Sequence, residues 1–451
     1  MTDNDGIALG RHYDEATQTV GKKIVYAGER HVLLFGPNGT GKGTRFLIPN
    51  LLSIKDRSII VIDPKGELAS VTADYRRTVG DVVMLNPFDV LGLGSAGFNP
   101  LDTLDPKSPN FYDDAAALGE ALIKMEGKDP HWSESAQGLL VALIMWDKLK
   151  NGARANLENV RALLTQPDTW ERYTGDDGKV RERQTGGLRV TAADMIAEGG
   201  YAIASLAARF AEQTNEISSI RSTADTQTRW ILSEPMRGDL KKPGVDFSKL
   251  KEKRTTVLVI LPAERMRTHS VWLRLVIVSA LRALYRPGGL RTLLLIDEMP
   301  ALGHLGPLED AFGLVRGYKV QIAGICQDLA QLKALYKERW ESFLANAGVV
   351  VGLTPNDLTT ADWMSRRAGQ TTLVAENSGE TLTPEGRRSE STSWQQVGRA
   401  LYLPQELMGF AEGSGLLWLA GMANGVRFFA PPYWKIDQCA GRAGRNPYYD
   451  G

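Results

Sequence analysis

The strongest chemical signal in the sequence is GPNGTGKGT at positions 36–44. It directly follows the apolar run HVLLF and leads into RFLIPNLL, which has helical character. Glycines let such a loop curl until its backbone N–H groups converge on phosphate oxygens, and a lysine adds positive charge at the β and γ phosphates. The pattern predicts a phosphate-binding loop (P-loop). The residues expected to contact a nucleotide are Gly36, Asn38, Gly39, Thr40, Gly41, Lys42, Gly43 and Thr44.

One position departs from the usual loop pattern. The motif normally places Ser or Thr after the lysine, where the hydroxyl coordinates Mg²⁺, and this chain has Gly43 there. Thr44 could hydrogen-bond the α phosphate instead, or the metal could be held through water and acidic residues elsewhere. We therefore expect Mg²⁺ to be required, while its protein ligand on this loop stays open.

A second signal is RTLLLIDEMP at positions 291–300, where four apolar residues deliver Asp297 and Glu298 to a predicted strand end. Beside a phosphate-binding loop, the first carboxylate suits Mg²⁺ coordination, and the second suits polarising the water that attacks the γ phosphate. The same pair could instead cap a helix, because carboxylates are also favourable at helix N-termini. The presence of the P-loop favours the roles in metal and water binding.

Two polar residues further along could complete such a site. Gln327 follows the apolar run VQIAGIC, and a glutamine at that strand end can sense the γ phosphate. Arg316, within GLVRGYK, could project to a subunit edge or be an ordinary solvated arginine. The residues alone do not separate these two interpretations.

Charged residues near two other predicted strand ends have weaker signals. Asp63, Lys65 and Glu67 follow the run SIIVI, and we expect them near the P-loop in either a structural or a chemical role. Arg265 and Arg267 could contact DNA, although a solvated loop explains either one taken singly.

The elements that must position these residues are indicated by apolar runs rich in Val, Ile and Leu. Continuous rather than alternating hydrophobicity is typical of strands covered on both faces, as in a parallel sheet flanked by helices. The runs therefore predict an α/β core with a mainly parallel sheet. They are HVLLF (31–35), SIIVI (58–62), VVML (82–85), TVLVIL (256–261), LLLI (293–296), VQIAGI (320–325) and GVVVGL (348–353).

Between about 108 and 235 apolar residues repeat at helical spacing instead, without a comparable strand run. This predicts an all-α domain inserted into the α/β domain, with boundaries at 1–107 (including the P-loop), 108–235 and 236–451. Two polar stretches differ from these patterns, one inside this segment and one much later in the chain. We expect an exposed loop at 173–187 and a long hairpin or mobile loop at 371–394.

Net charge, cysteine content and the lack of a long apolar run each limit the classes of function that this sequence could have. The 451 residues include 53 Lys plus Arg and 53 Asp plus Glu, so any nucleic-acid contact must come from local charge placement rather than bulk attraction. The two cysteines, Cys326 and Cys439, favour a reducing compartment and exclude a cysteine metal site. The chain starts without a signal-peptide core, and the run 273–285 is too short and charged to span a bilayer. We expect a soluble, cytoplasmic protein.

With these residues in place, the chain resembles the type IV coupling proteins, the TraG- and TraD-like ATPases of conjugative DNA transfer and type IV secretion. The resemblance covers about residues 25–435, and the P-loop of that family often has glycine after the lysine, as Gly43 does here. Other segments similar to signature segments of the family are VIDPKGEL (61–68), FNPLD (98–102), HWSESAQGLL (131–140), LIDEMPALGHL (295–305), ICQDLAQL (325–332) and RALYLPQEL (399–407).

The resemblance implies a RecA-like P-loop ATPase with an inserted all-α domain, using ATP and Mg²⁺. It further implies a homo-hexameric ring with ATP at subunit interfaces and DNA passing through the centre. On that pattern Lys42 binds phosphate, Asp297 holds the metal, Glu298 serves the attacking water and Gln327 senses the nucleotide. Arg316 matches the position of an arginine finger supplied to the neighbouring subunit.

The resemblance also implies partners, namely relaxase-bound DNA, single- or double-stranded, and the components of a type IV secretion system at the inner membrane. The family usually has two N-terminal transmembrane helices, so we expect either a chain that begins after them or a membrane-free member. The leading hypothesis is a DNA-stimulated ATPase that delivers DNA, and protein effectors, to the secretion channel. Two alternatives are a nucleotide-binding substrate receptor with little hydrolysis, and a related DNA-pumping ATPase of segregation or defence.

Overall fold

The computed structural model describes residues 6–125, 130–212, 214–382 and 388–449. The strands in these ranges are β1 (Ile7–Asp14), β2 (Thr19–Tyr26), β3 (His31–Phe35), β4 (Ser58–Asp63), β5 (Asp81–Leu85), β6 (Trp170–Thr174), β7 (Val180–Gln184), β8 (Thr255–Ile260), β9 (Thr292–Ile296), β10 (Val320–Cys326), β11 (Ala347–Leu353), β12 (Gln370–Leu382), β13 (Arg388–Ala400), β14 (Ser414–Leu419) and β15 (Val426–Phe429). Each predicted apolar run coincides with one of these strands, and only the run 256–261 extends one residue beyond its strand, β8.

The α-helices in the same ranges are α1 (Ile48–Leu51), α2 (Glu67–Val79), α3 (Phe111–Leu122), α4 (His131–Asn151), α5 (Leu157–Thr165), α6 (Leu188–Glu198), α7 (Gly200–Ala207), α8 (Asn215–Thr228), α9 (Glu234–Leu240), α10 (Ala263–Leu284), α11 (Gly306–Leu314), α12 (Leu329–Tyr336), α13 (Trp340–Asn346), α14 (Leu358–Ala368) and α15 (Pro404–Met408). Several begin at a side-chain cap: Thr214 accepts from Ile217 N at α8, and Asp357 accepts from Thr360 N at α14. Among the described helices, none is long and apolar enough to cross a membrane.

The chain divides into two compact units. Unit one comprises Met1–Asn50 and Ile325–Cys439, and its strands follow the order β2-β1-β15-β14-β11-β3. In it β11 pairs in parallel with β3, whereas β14, β15, β1 and β2 extend the sheet in antiparallel fashion. The polar stretch after α14 forms the antiparallel β12–β13 hairpin. A hairpin was one of the two predicted alternatives there, and its residues 383–387 lie outside the described ranges.

Unit two comprises Leu51–Gly324 and Ala440–Gly451. Its strands follow the order β10-β9-β4-β8-β5, and every pairing in that order is parallel. All residues of β4, β8 and β9 are buried, which explains why their sequences are continuously apolar. The carboxyl ends of these parallel strands share one edge of the sheet, where the predicted acidic residues lie.

The segment from α3 to α9 is helical, as predicted, with one exception. Where we expected an exposed loop at 173–187, strands β6 and β7 form an exposed hairpin. The strands carry opposite charges across the ladder, since Arg172 pairs with Glu182 and Arg183 with Glu171. Cross-strand ion pairs stabilise a hairpin that has too few apolar residues to be recognised from hydrophobic pattern. The domain boundaries at 107 and 235 stay predictions.

Candidate nucleotide site

The predicted P-loop in unit one starts directly at the end of β3. The Gly36 N–H donates to the Cys326 carbonyl at 3.0 Å, and both residues belong to unit one. Gly39 and Gly41 have φ of +84° and +80°, a left-handed conformation that glycine adopts without steric cost. The Thr40 hydroxyl donates to the Pro37 carbonyl at 2.7 Å and closes the turn. The glycine spacing thus gives the curled backbone that the sequence predicts.

The Lys42 side chain lies back over its own loop. Its Nζ donates to the carbonyls of Gly36 at 2.6 Å and Pro37 at 3.2 Å. The ammonium group is therefore positioned above the loop, where phosphate oxygens could replace the carbonyl partners. A lysine held in this way places its charge at the point where the loop backbone turns.

The segment after the lysine begins as one π-helical stretch, Lys42–Leu47, before α1. Thr44 is buried within it, and its hydroxyl donates to the Gly41 carbonyl at 3.4 Å. Arg45 anchors this stretch, since it donates to the Ala430 carbonyl and to Glu412, both at 2.8 Å. The hydrophobic pattern predicted a helix here. It did not predict that the first turn is of the π type, which is wider than an α-helical turn and has no sequence signature of its own.

Gln327 is brought next to the P-loop within unit one. It follows Cys326, whose carbonyl accepts the Gly36 N–H, and it is half-buried. Asp328 then caps α12 by accepting from Gln331 N at 2.8 Å, and Leu329 N donates to the Thr360 hydroxyl at 3.0 Å. Gln327 is thus held between a buried strand and a capped helix.

Asp297 and Glu298 lie in unit two, in the turn that follows β9, and both are half-buried. Glu298 has φ +61° and ψ +50°, a left-handed conformation that is unusual for a residue with a side chain. The turn leads into the 3₁₀ helix Met299–Leu302, and within this described turn the Glu298 side chain makes no capping hydrogen bond. The alternative interpretation of Glu298 as a helix cap is therefore not supported.

Asp63 ends β4, which pairs in parallel with β9 so that Ile62 lies opposite Ile296. Asp63 and Asp297 consequently leave adjacent strands at the same level. Burial raises the pKa of the Asp63 carboxyl to about 7, and the negative charges of Asp297 and Glu67 act in the same direction. Hydrogen bonds from Ala69 N at 2.9 Å and Lys65 N at 3.2 Å oppose the rise.

Arg316 lies in unit two, in the short 3₁₀ helix Val315–Tyr318 after α11, and its side chain is exposed. The Arg316 side chain makes no hydrogen bond or ion pair with any described residue, while its backbone carbonyl accepts from Lys319 N at 3.1 Å. Leu314, two residues before it, is also largely exposed, at 64%. An exposed arginine beside an exposed leucine is compatible with either predicted interpretation, a solvated side chain or a group directed at another subunit.

A family model described as "Type IV secretory system Conjugative DNA transfer" (T4SS-DNA_transf) matches residues 3–434. The chain belongs to this conjugative DNA-transfer family. The resemblance inferred from the P-loop and the acidic turn is thereby confirmed.

A curated relative of this family member is the conjugal transfer protein TraG of Escherichia coli, which is 28% identical over 411 residues. That alignment covers 85% of this chain and 62% of the relative, so the chain spans about three fifths of the relative's length. The solved plasmid coupling protein TrwB in complex with the ATP analogue ADPNP matches with a TM-score of 0.64 at 16% identity, covering 94% of both chains. TrwB with ADP and Mg²⁺ matches with a TM-score of 0.60 at 16% identity, covering 90% of this chain and 85% of that chain. These likenesses confirm the predicted RecA-like α/β fold.

The conjugative DNA-transfer family match ends before a tail that sequence reasoning missed. Residues 440–449 run along α2 of unit two, where Gly444 N donates to the Val71 carbonyl at 2.7 Å. Asn446 donates to Glu67 at 2.8 Å, and the Tyr448 hydroxyl donates to the Lys65 carbonyl at 2.8 Å. The tail therefore fixes the segment after Asp63. Its polar, Gly-rich sequence has no periodicity that could have predicted this docking.

The described residues of this family member contain no group of three or more His, Cys, Asp or Glu side chains arranged to hold a metal ion. Mg²⁺ usually keeps several waters and binds through one or two carboxylates together with substrate phosphates. A single strand-end carboxylate such as Asp297 is the donor type that such a site requires.

Proposed function

We propose that this chain is the ATP-hydrolysing part of a type IV coupling protein that delivers relaxase-bound DNA to a secretion channel. The observation that carries the proposal is the P-loop, with left-handed glycines at 39 and 41 and the Lys42 ammonium over the turn. Membership of the conjugative DNA-transfer family supports the process in which the site acts. TrwB structures with ADPNP and with ADP and Mg²⁺ support ATP and Mg²⁺ as the ligands here.

The loop residues bind the nucleotide. Backbone N–H groups from Gly36 to Thr44 contact the phosphates, and Lys42 exchanges its loop carbonyls for β and γ phosphate oxygens. Thr44 is oriented by its bond to the Gly41 carbonyl and keeps its oxygen lone pairs for a further contact. Because Gly43 lacks a hydroxyl, the loop itself contributes less to the metal than most P-loops do.

The acidic turn acts on the same nucleotide. Asp297 holds Mg²⁺ directly or through water, and the Glu298 carboxylate accepts a hydrogen bond from the attacking water. Mg²⁺, when bound, neutralises charge on the β and γ phosphates. Gln327, held after β10, distinguishes the presence of the γ phosphate from its loss.

Arg316 supplies the last charge from a neighbouring subunit in a homo-hexamer. Its exposure and its lack of partners among the described residues support a role outside its own subunit. An arginine finger of this kind is worth about 10³ to 10⁵ in rate. Hydrolysis would therefore depend on assembly around DNA, at the inner membrane and together with the secretion components.

The proposal is tested by steady-state phosphate release with and without single-stranded DNA. We expect Mg²⁺-dependent turnover that DNA stimulates, and its loss in Lys42→Ala because the phosphate contact is removed. Lys22→Ala, which changes an exposed lysine of β2, is the matched control and should keep wild-type turnover. Absence of turnover at every DNA, salt and protein concentration would overturn the ATPase.

The placement of Arg316 has its own test. Arg316→Ala subunits should bind ATP normally but hydrolyse it about 10³-fold more slowly or worse. Mixing them with Lys42→Ala subunits should restore part of the activity, since each kind of subunit supplies what the other lacks. Mixed rings verified by mass spectrometry that show no recovery would exclude a finger acting between subunits.

A second candidate function is a substrate receptor that binds nucleotide for assembly and hydrolyses little. Gly43 favours it, because the loop lacks the usual Mg²⁺ ligand. Nucleotide binding without turnover, together with nucleotide-dependent oligomerisation, would select this function over the ATPase.

A further inference from the structure

We propose that Arg274, on α10, is a positioning residue for the acidic turn after β9, because it ties that turn to the carboxyl end of α3. The inference rests on the proposed function, in which Asp297 and Glu298 of this turn serve the metal and the attacking water. It deepens that function by naming the side chain that holds the turn in place. All the residues involved belong to unit two.

One side of the Arg274 guanidinium caps α3. Arg274 is only 2% exposed. Its Nε donates to the Ala121 carbonyl at 2.9 Å, and its Nη2 donates to the carbonyls of Glu120 at 3.1 Å and Ile123 at 3.3 Å. These carbonyls lie at the end of α3, where the helix itself offers them no N–H partner. The negative end of the helix dipole also favours a cation at this place.

The other side of the same guanidinium holds the segment that follows the acidic turn. Nη1 of Arg274 donates to the Leu302 carbonyl at 3.1 Å and to the His304 carbonyl at 2.5 Å. Leu302 is the last residue of the short 3₁₀ helix after the turn. The first carbonyl of that helix belongs to Glu298, since it accepts from Ala301 N at 2.9 Å. One side chain therefore fixes the far end of the helix that starts at Glu298.

The turn needs such support because the backbone of Glu298 is left-handed, with φ of +61°. A strained conformation of this kind persists only where the surrounding structure holds it. The 3₁₀ helix after it has four residues, Met299–Leu302, and so has few hydrogen bonds of its own. Freeing its end would let the turn relax and move the Glu298 carboxylate. A displacement of about 1 Å at a reacting group can lower a rate about 10²-fold.

The arrangement requires an arginine rather than any cation. A guanidinium presents five N–H donors in a rigid planar fork, and the bonds named above use its three nitrogens in two directions. A lysine donates from a single nitrogen, so it keeps the charge without holding both chain segments. Arg274→Lys therefore loosens the tie between α3 and the turn at an unchanged formal charge.

Any buried arginine also stabilises the fold, so the test compares Arg274→Lys with a matched control, Arg161→Lys. Arg161 is 8% exposed and joins α5 to α8 by donating to Asp225 and Thr228. Its loss removes a similar buried network at another place in unit two. Turnover and the KM for ATP are measured on the full chain with single-stranded DNA present, at a temperature where circular dichroism shows the variants to be folded. Arg274→Gln, which keeps an amide donor, replaces Arg274→Lys if the latter does not fold.

We expect Arg274→Lys to lower kcat about 10- to 100-fold and to change the KM for ATP by less than about twofold, because the P-loop contacts are untouched. Arg161→Lys should keep the wild-type kcat. If folded Arg274→Lys also keeps it, or if the two variants lose the same factor, Arg274 only stabilises the fold and the inference is wrong.

Hydrogen exchange of the nucleotide-free chain tests the same tie without requiring hydrolysis. The N–H groups of Ala301 and Gly303 donate to carbonyls of Glu298 and Pro300 at 2.9 and 3.0 Å. They should exchange about tenfold faster in Arg274→Lys than in the wild type or in Arg161→Lys, because the end of the 3₁₀ helix is released. Unchanged exchange would overturn the tie. If the wild type shows no turnover, the proposed ATPase fails, and the exchange result alone decides whether Arg274 holds the turn.

Discussion

Two turns of this protein each follow a buried strand and contain a left-handed backbone conformation. They differ in the type of residue that adopts it. In the P-loop after β3 the positive φ angles fall on Gly39 and Gly41. In the turn after β9 the positive φ falls on Glu298. A left-handed conformation costs glycine nothing, whereas it costs a residue with a side chain roughly 1–2 kcal/mol.

The difference shows what each turn is built to present. The P-loop presents backbone N–H groups, and a Cβ would only obstruct their approach to phosphate. The turn after β9 has a carboxylate at a position where glycine would avoid the backbone strain. Strain of this kind concentrates at functional sites. The strain at Glu298 therefore motivates a direct test of its chemical role.

The largest expected effect tests whether Glu298 is retained for its carboxylate. Glu298→Gln preserves size and backbone strain but removes the charge that polarises water, so we expect turnover to fall about 10²- to 10⁴-fold with nucleotide affinity nearly unchanged. Phosphate release and a fluorescent ATP analogue measure the two quantities. Glu338→Gln, at an exposed position of unit one, is the control. Wild-type turnover in Glu298→Gln would leave the strain without a catalytic reason.

A smaller effect tests the P-loop side of the comparison. A Cβ at Gly41 would lie 2.7 Å from Arg45 Cδ, and Arg45 is held by Glu412 and the Ala430 carbonyl. A Cβ at Gly39 would meet no described atom within 4 Å. We expect Gly39→Ala to lower the free energy of unfolding by about 1 kcal/mol, from backbone strain alone. Gly41→Ala should lower it by about 2–3 kcal/mol, because a steric clash is added. Equal losses in urea unfolding of the nucleotide-free protein would show that Arg45 is not fixed.

The same two turns show how far sequence reasoning reaches. The P-loop was predictable because its signal is local: strand, glycine spacing and lysine lie within 14 residues, 31–44. The seven apolar runs were predictable as strands because burial on both faces leaves continuous hydrophobicity. Strands β1 and β2 were missed, since they carry charged residues and β2 has no buried position. An exposed strand at the edge of a sheet does not have the continuous apolar sequence by which a buried strand is recognised.

Non-local features of the site could not be predicted. A cavity in unit two is lined by Lys124, Arg229 and Arg267, which come from segments far apart in the chain, and no spacing rule connects them. The docking of Asn446 on Glu67 likewise joins opposite ends of the sequence. The local sequence IDEMP does not predict the left-handed backbone conformation of Glu298. Each depends on packing that only the folded chain provides.

The smallest expected effect concerns Asp63, which lies at the same sheet edge of unit two as the Glu298 turn. At Glu298 the unfavourable feature is backbone strain, whereas at Asp63 it is burial of a carboxyl group, which disfavours ionisation. Its pKa is about 7 in the folded chain, against an ordinary value of 3.8. The folded state therefore holds a proton that the unfolded state has already released, and stability falls as pH rises between these values. Above about pH 7 the folded state also releases it, and the slope disappears.

Asp63→Asn removes this titration. It keeps one acceptor for the N–H groups of Ala69 and Lys65, and loss of the other contact is a constant offset at every pH. The free energy of unfolding of the wild type, relative to Asp63→Asn, should thus fall by about 1 kcal/mol from pH 6 to pH 7 and level off above pH 8. Urea unfolding in nucleotide-free, Mg²⁺-free buffer measures it. A difference independent of pH would mean that Asp63 is ionised throughout, and that water or a cation compensates its charge in a way that burial alone does not predict.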